Sequence, residues 1–115
     1  DYDTLVRDAV ALRKKGKRAA AIGTYEKAAA LNPAADAAPL ALANIYLDAG
    51  NNKKAAEWAQ KAIAANAQAA DAYMVLGTAN LDLGRTADAR AAFRRYLELA
   101  PKGRHAADVR ALLRQ

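Results

Sequence analysis

Few residues in this chain could do chemistry. The 115 residues hold no cysteine and a single histidine, His105, with no Cys or Ser arranged beside it, so thiolate catalysis and a Cys/His zinc site are both excluded. His105 reads as a flexible residue near the C-terminus rather than a catalyst or ligand, and the sequence offers no catalytic, metal or cofactor site. The carboxylates are more suggestive. Asp48 and Asp82 stand 34 positions apart, each near the end of an expected helix. A negative charge there opposes the helix dipole by about 0.3–1 kcal/mol, a mild hint of a use beyond stability. The plainer reading is a solvated edge, partly balanced by Lys14 at the matching place. Trp58 is expected to pack as core, with an outward contact anchor as the alternative.

These residues are placed by a repeated element. Gly84, Ala89 and Leu76 have counterparts 34 positions earlier in Gly50, Ala55 and Leu42, and Gly16 and Ala21 stand a further 34 back. Pro101 and Pro33 are two periods apart. A fixed period of this size marks one supersecondary unit copied and stacked. Within the first copy Leu5, Val6, Ala9, Val10 and Leu12 recur at three- and four-residue steps, the spacing of one buried helical face. Gly16 ends that helix, and a second runs through Ala21, Ile22, Tyr25 and Ala28 to Leu31, stopped by Asn32-Pro33. A link this short makes the two helices antiparallel, and small residues such as Ala21 let their axes approach.

The repeats are expected at about 2–35, 36–69 and 70–103, with a capping helix at 104–115, all in one domain. Asp36 is a candidate N-cap for the third helix, and Pro39 falls in its first turn, where a missing N–H costs no helical bond. In the cap, Ala107, Ala111 and Leu112 are spaced to cover the apolar side of the third repeat, Phe93 included.

Composition sets the outer limits. No apolar run approaches the roughly 18 residues of a membrane span, so a soluble protein is expected. The absence of cysteine is compatible with cytoplasm and periplasm alike. With no initiator Met and no signal-like segment, the chain reads as a piece of a longer protein in preference to a mature product.

The pattern resembles the tetratricopeptide repeat (TPR), a 34-residue unit with conserved large, small, glycine, alanine, aromatic and proline places. The third copy supplies Tyr73, Leu76, Gly77, Gly84, Ala89, Phe93 and Pro101; the first supplies Leu5, Ala9, Gly16, Ala21, Tyr25, Ala28 and Pro33. The second supplies Leu42, Ala43, Tyr46, Gly50, Ala55 and Ala62. Three places depart from the pattern. Asp8 replaces a Leu on the outermost helix, Ala59 replaces an aromatic, and Asn80 replaces an aromatic where burial without a partner would cost about 1–3 kcal/mol. The resemblance implies an all-α fold, a right-handed superhelical stack of three antiparallel helix-turn-helix repeats with a capping helix. The final stretch from Phe93 to Pro101 is similar to bacterial examples.

The resemblance also implies a function, the binding of a peptide or helix in the concave groove lined by the first helix of each repeat. Carried over by register, the groove residues are Val6, Val10, Leu40, Asn44, Leu47, Asp48, Asp71, Met74, Thr78, Leu81 and Asp82. That groove is apolar with acidic edges and suits a ligand with apolar anchors and basic flanks. Family members that grip a terminal carboxylate use cations and amides at places filled here by Val6, Val10, Ala41, Asp71 and Val75, so such a clamp is not expected.

The net charge of +6 is unevenly spread. Residues 34–49 and 66–83 contain no Lys or Arg, whereas the second helices and the cap are rich in them. Without aromatic residues interleaved for stacking, the basic side reads as a solvated back rather than a nucleic-acid or membrane surface. The reading is a non-enzymatic protein-binding module without cofactor or small-molecule substrate. The alternative is a structural spacer or oligomerisation unit whose groove stays empty, and the sequence leaves the oligomeric state open.

Overall fold

The computed structural model describes residues 1–115 as seven helices and no strand. They are α1 (Tyr2–Lys14), α2 (Arg18–Leu31), α3 (Ala37–Asp48), α4 (Asn52–Ala65), α5 (Ala70–Asp82), α6 (Thr86–Leu99) and α7 (Ala106–Leu113). Contacts run from each helix to the next, and α3 also packs on α5, so the hairpins α1–α2, α3–α4 and α5–α6 stack in a row 43 Å long.

The three hairpin turns are built alike. Gly16, Gly50 and Gly84 hold φ of 77°, 78° and 78°, the left-handed region that strains any residue with a Cβ. After each glycine the next N–H reaches back to close the helix: Lys17 to Leu12 O at 2.9 Å, Asn51 to Tyr46 O at 2.9 Å and Arg85 to Asn80 O at 2.8 Å. With the glycine N–H bonded to Arg13, Leu47 and Leu81 respectively, this is a Schellman cap in every copy. Between hairpins the chain bends at Asn32 and Asn66, whose side-chain oxygens accept from the N–H groups of Ala34 and Gln68 at 3.3 and 3.0 Å.

Pro39 sits in the first turn of α3 as expected, and the N–H of Leu40 bonds back to Asp36 O at 2.9 Å. Asp36 does not cap with its side chain. Its carboxylate instead accepts from Asn66 Nδ2 at 3.2 Å, tying two inter-hairpin bends together, while Ala38 N–H donates to the Tyr2 hydroxyl at 3.1 Å.

The interior is thin and mostly alanine, which supplies fourteen of the twenty-one buried apolar residues, so helix axes approach closely and a few large side chains fill the remaining space. Tyr25, Leu42 and Ile45 do so between the first and second hairpins, Val75 between the second and third, and Phe93, Tyr96 and Val109 under α7. Trp58 is half-buried against both of the first two clusters, making up for the small Ala59, and its other face carries Lys61 Nζ at 4.1 Å from the ring centre. Asn80 is buried, yet no buried side-chain N or O lacks a partner. Asn80 lines a pocket of about 350 Å³ with Gln60, Arg85 and Asp88, through which its amide meets solvent.

The cap turns a different side inward from the one its sequence suggested. Ala106 and Val109 are buried with Leu112 and Leu113 packed beside them, whereas Ala107 and Ala111 are exposed. Hydrogen bonds accompany this packing: Arg90 donates to Leu113 O at 2.7 Å and Gln115 O at 3.3 Å, and Arg110 to Pro101 O at 2.6 Å. No helix is long and apolar enough to cross a membrane.

Candidate binding groove

Helices α1, α3 and α5 are the first members of their hairpins, and the residues assigned to a groove all stand on them. Five of these converge. Asn44 and Leu47 from α3 and Asp71, Met74 and Thr78 from α5 line one pocket of about 190 Å³, with Val75 completing its apolar floor. Asn44 Nδ2 donates to Leu40 O at 3.1 Å and Thr78 Oγ1 to Met74 O at 3.0 Å, each back along its own helix. Those bonds leave the Asn44 carbonyl oxygen and the lone pairs of Thr78 as acceptors. Asp71 is exposed and has no ion-pair partner within 4.0 Å.

The other assigned residues lie apart. Asp48 lines a separate recess and is paired with Arg13 Nη2 at 3.2 Å, so Arg13, rather than Lys14, balances it. Both side chains of this pair are exposed, at 38% and 67%, which limits its worth to about 0.2–1 kcal/mol. Leu81 borders a pocket at the C-terminal end with Phe93 and Leu112. Val6 is half-buried against the first core cluster. Val10, Leu40 and Asp82 line none of the pockets, and Val10 and Asp82 are exposed while Leu40 is half-buried.

Two residues of the central pocket escaped the sequence reading. Arg104 and His105, on the turn before α7, close its C-terminal wall. His105 is tied in by three contacts. Its N–H donates to the Tyr96 hydroxyl at 3.1 Å, its ring meets Tyr96 edge-on with centroids 6.0 Å apart, and its Nε2 accepts from Arg104 Nε at 3.2 Å. The available signal was register, because His105 stands 34 positions after Asp71 and so takes the same groove place in a fourth, partial unit.

Among the aromatic residues at repeat places, Tyr25 and Phe93 are buried, and so is the neighbouring Tyr96. Tyr46 and Tyr73 are half-buried, with Lys54 and Arg95 lying 5.3 and 6.0 Å from their ring centres.

The tetratricopeptide repeat profile matches residues 7–70 and again 40–104. The chain belongs to the tetratricopeptide repeat family. Solved TPR domains share its architecture over nearly its whole length. The TPR domain of Arabidopsis OM64 is 26% identical with a TM-score of 0.89, over 98% of this chain and 93% of that one. The first TPR domain of human RPAP3 is 26% identical with a TM-score of 0.85, over 98% and 87%. The second TPR of Spaghetti (RPAP3), solved bound to the HSP90 peptide SRMEEVD, is 26% identical with a TM-score of 0.80, over 85% and 91%. No curated protein matches this TPR array by sequence.

Proposed function

We propose that this TPR array is a non-enzymatic interaction module that binds a peptide or helix of a partner protein in the groove formed by α1, α3 and α5. The observation that carries the reading is the central pocket, where Leu47, Met74 and Val75 form an apolar floor, Asn44, Asp71 and Thr78 offer acceptors beside it, and Arg104 and His105 stand in the wall. An apolar anchor of the ligand fits the floor. A Lys or Arg next to that anchor meets Asp71 or, further along, the exposed Asp82, neither of which is paired within the protein. The peptide complex of a TPR relative supports peptide binding as a role. The acidic sequence SRMEEVD is not the ligand class proposed here, because Val6, Val10, Ala41, Asp71 and Val75 put no cation at the clamp places.

Calorimetry at low salt tests this with two peptides of one apolar pattern, flanked by Lys or by Glu. The Lys-flanked peptide should bind more tightly, and Leu47→Lys with Met74→Lys should abolish its binding. An acidic peptide that binds more tightly, and is lost in the same double variant, would overturn the assignment. A groove that binds neither peptide would instead favour the role of a structural spacer or oligomerisation unit.

A further inference from the structure

The turn between α1 and α2 carries Arg13, Lys14, Lys15, Lys17 and Arg18 around Gly16, five cations in six residues. The fold does not require them. The same cap, with glycine φ within a degree, is made by Leu47-Asp48-Ala49-Gly50-Asn51-Asn52 and by Leu81-Asp82-Leu83-Gly84-Arg85-Thr86, which together hold one cation and two acids.

Stability accounts for only part of the cluster: Arg13 and Lys14 lie in the last turn of α1, where cations favour the helix dipole. All five are exposed. Lys17 is the N-cap of α2 and Arg18 its first residue, where positive charge opposes the helix dipole and no side chain caps the helix. At the place of Lys17 the second turn has Asn51, whose side chain accepts from Lys54 N–H at 3.2 Å. Only Arg13 has a carboxylate partner within the protein.

Beside this turn opens a recess of about 230 Å³ lined by Arg13, Gly16, Arg18, Ile45 and Asp48. Arg13 and Asp48 already form a guanidinium–carboxylate contact in it, whereas Arg18 has no acid. We propose that this knuckle is a second docking point, apart from the central pocket, that takes a short run of Asp or Glu residues from a partner protein. One carboxylate enters the recess beside Arg18, and its neighbours meet Lys14, Lys15 and Lys17.

The lining of the recess favours a carboxylate peptide over a nucleic acid: Asp48 in its wall opposes a dense line of phosphates. Its lining holds no aromatic ring on which a base could stack.

The test is fluorescence anisotropy of a labelled oligoglutamate peptide at physiological ionic strength, with two variants of equal net charge. One changes Lys14, Lys15, Lys17 and Arg18 to Gln; the other changes Lys27, Arg94, Lys102 and Arg114, all exposed and scattered, to Gln. The knuckle variant should lose affinity by about tenfold or more, and the scattered variant by no more than about twofold. The single change Arg18→Gln, mild enough to leave the fold intact, should also weaken binding more than Arg94→Gln. Equal losses in the two multiple variants would reduce the effect to net charge and overturn the proposal. So would the absence of binding, or displacement of the peptide by phosphatidylserine vesicles or duplex DNA more effectively than by unlabelled oligoglutamate at matched charge.

Discussion

A Cβ built on Gly77 would lie 2.5 Å from Cε1 of Phe93, inside van der Waals contact with a ring that is only 2% exposed. Gly77 lies within α5 and is buried, so its missing side chain is the space that Phe93 of α6 fills. Replacing a helical glycine by alanine ordinarily stabilises by about 0.5–1 kcal/mol. Gly77→Ala should instead destabilise by about 1–3 kcal/mol, because the buried ring must shift to admit the methyl. Gly23, in α2 with nothing within 4 Å of its added Cβ, is the control and should follow the ordinary rule. Urea melts of the two variants should shift in opposite directions.

The positive φ of Gly50 makes a second prediction. A β-branched residue is strained at φ 78° even though the space around the glycine is open, so Gly50→Val should cost more than the roughly 1 kcal/mol of an ordinary glycine replacement. A melt unchanged by Gly50→Val would contradict the cap geometry.

Removal of α7 should expose Phe93 and Tyr96. A chain truncated after Gly103 is expected to melt earlier and to self-associate, as read by light scattering. The milder Val109→Ala removes part of a fully buried side chain and should cost about 1–3 kcal/mol, while Ala107→Ser and Ala111→Ser, on the exposed side, should cost little.

Alkaline pH provides a fourth. Burial raises the pKa of the Tyr25 hydroxyl, and the positive charge of Arg13 only partly offsets this. The folded chain therefore keeps that proton where the unfolded chain has lost it. From the ordinary phenol value near 10 upward, the unfolded state binds fewer protons and stability falls, so the contribution is present below that pH and lost as pH climbs through the folded value. Tyr25→Phe should flatten this part of the stability profile between pH of about 9 and 12.

Groove binding should divide its kinetics between two kinds of residue. Leu47→Ala or Met74→Ala should mainly speed dissociation of a Lys-flanked peptide, because each removes apolar burial in the central pocket. Asp71→Lys with Asp82→Lys should mainly slow association and reverse its salt dependence, because exposed charges act on the approach. Stopped-flow measurement at two ionic strengths separates the two effects.

Register carried most of what could be read in advance. Gly16, Gly50 and Gly84 predicted three hairpin turns, since a left-handed cap has one cheap residue, and five groove residues taken from the same register meet in one pocket. What register could not supply was the rotation of side chains at the ends of elements. Asp36 found Asn66 instead of its own helix, Asp48 found Arg13 instead of Lys14, and α7 turned Ala106 and Val109 inward. Such choices depend on side chains that meet across elements, which a repeat of 34 does not encode. His105 was missed for the opposite reason, since its place continues the period beyond the third copy.

Packing from neighbour to neighbour gives the groove an elastic character. With no helix from the first hairpin holding the third directly in any extensive way, the opening between α1 and α5 is set by two interfaces in series, and a small rotation at each adds to the other. Those interfaces combine close-packed alanine with a few large side chains, Tyr25, Leu42 and Ile45 at the first and Val75 at the second. A partner that touches all three inner helices would act as a strut across this spring, so its grip should be felt as slower amide exchange in hairpins it never contacts on their outer side.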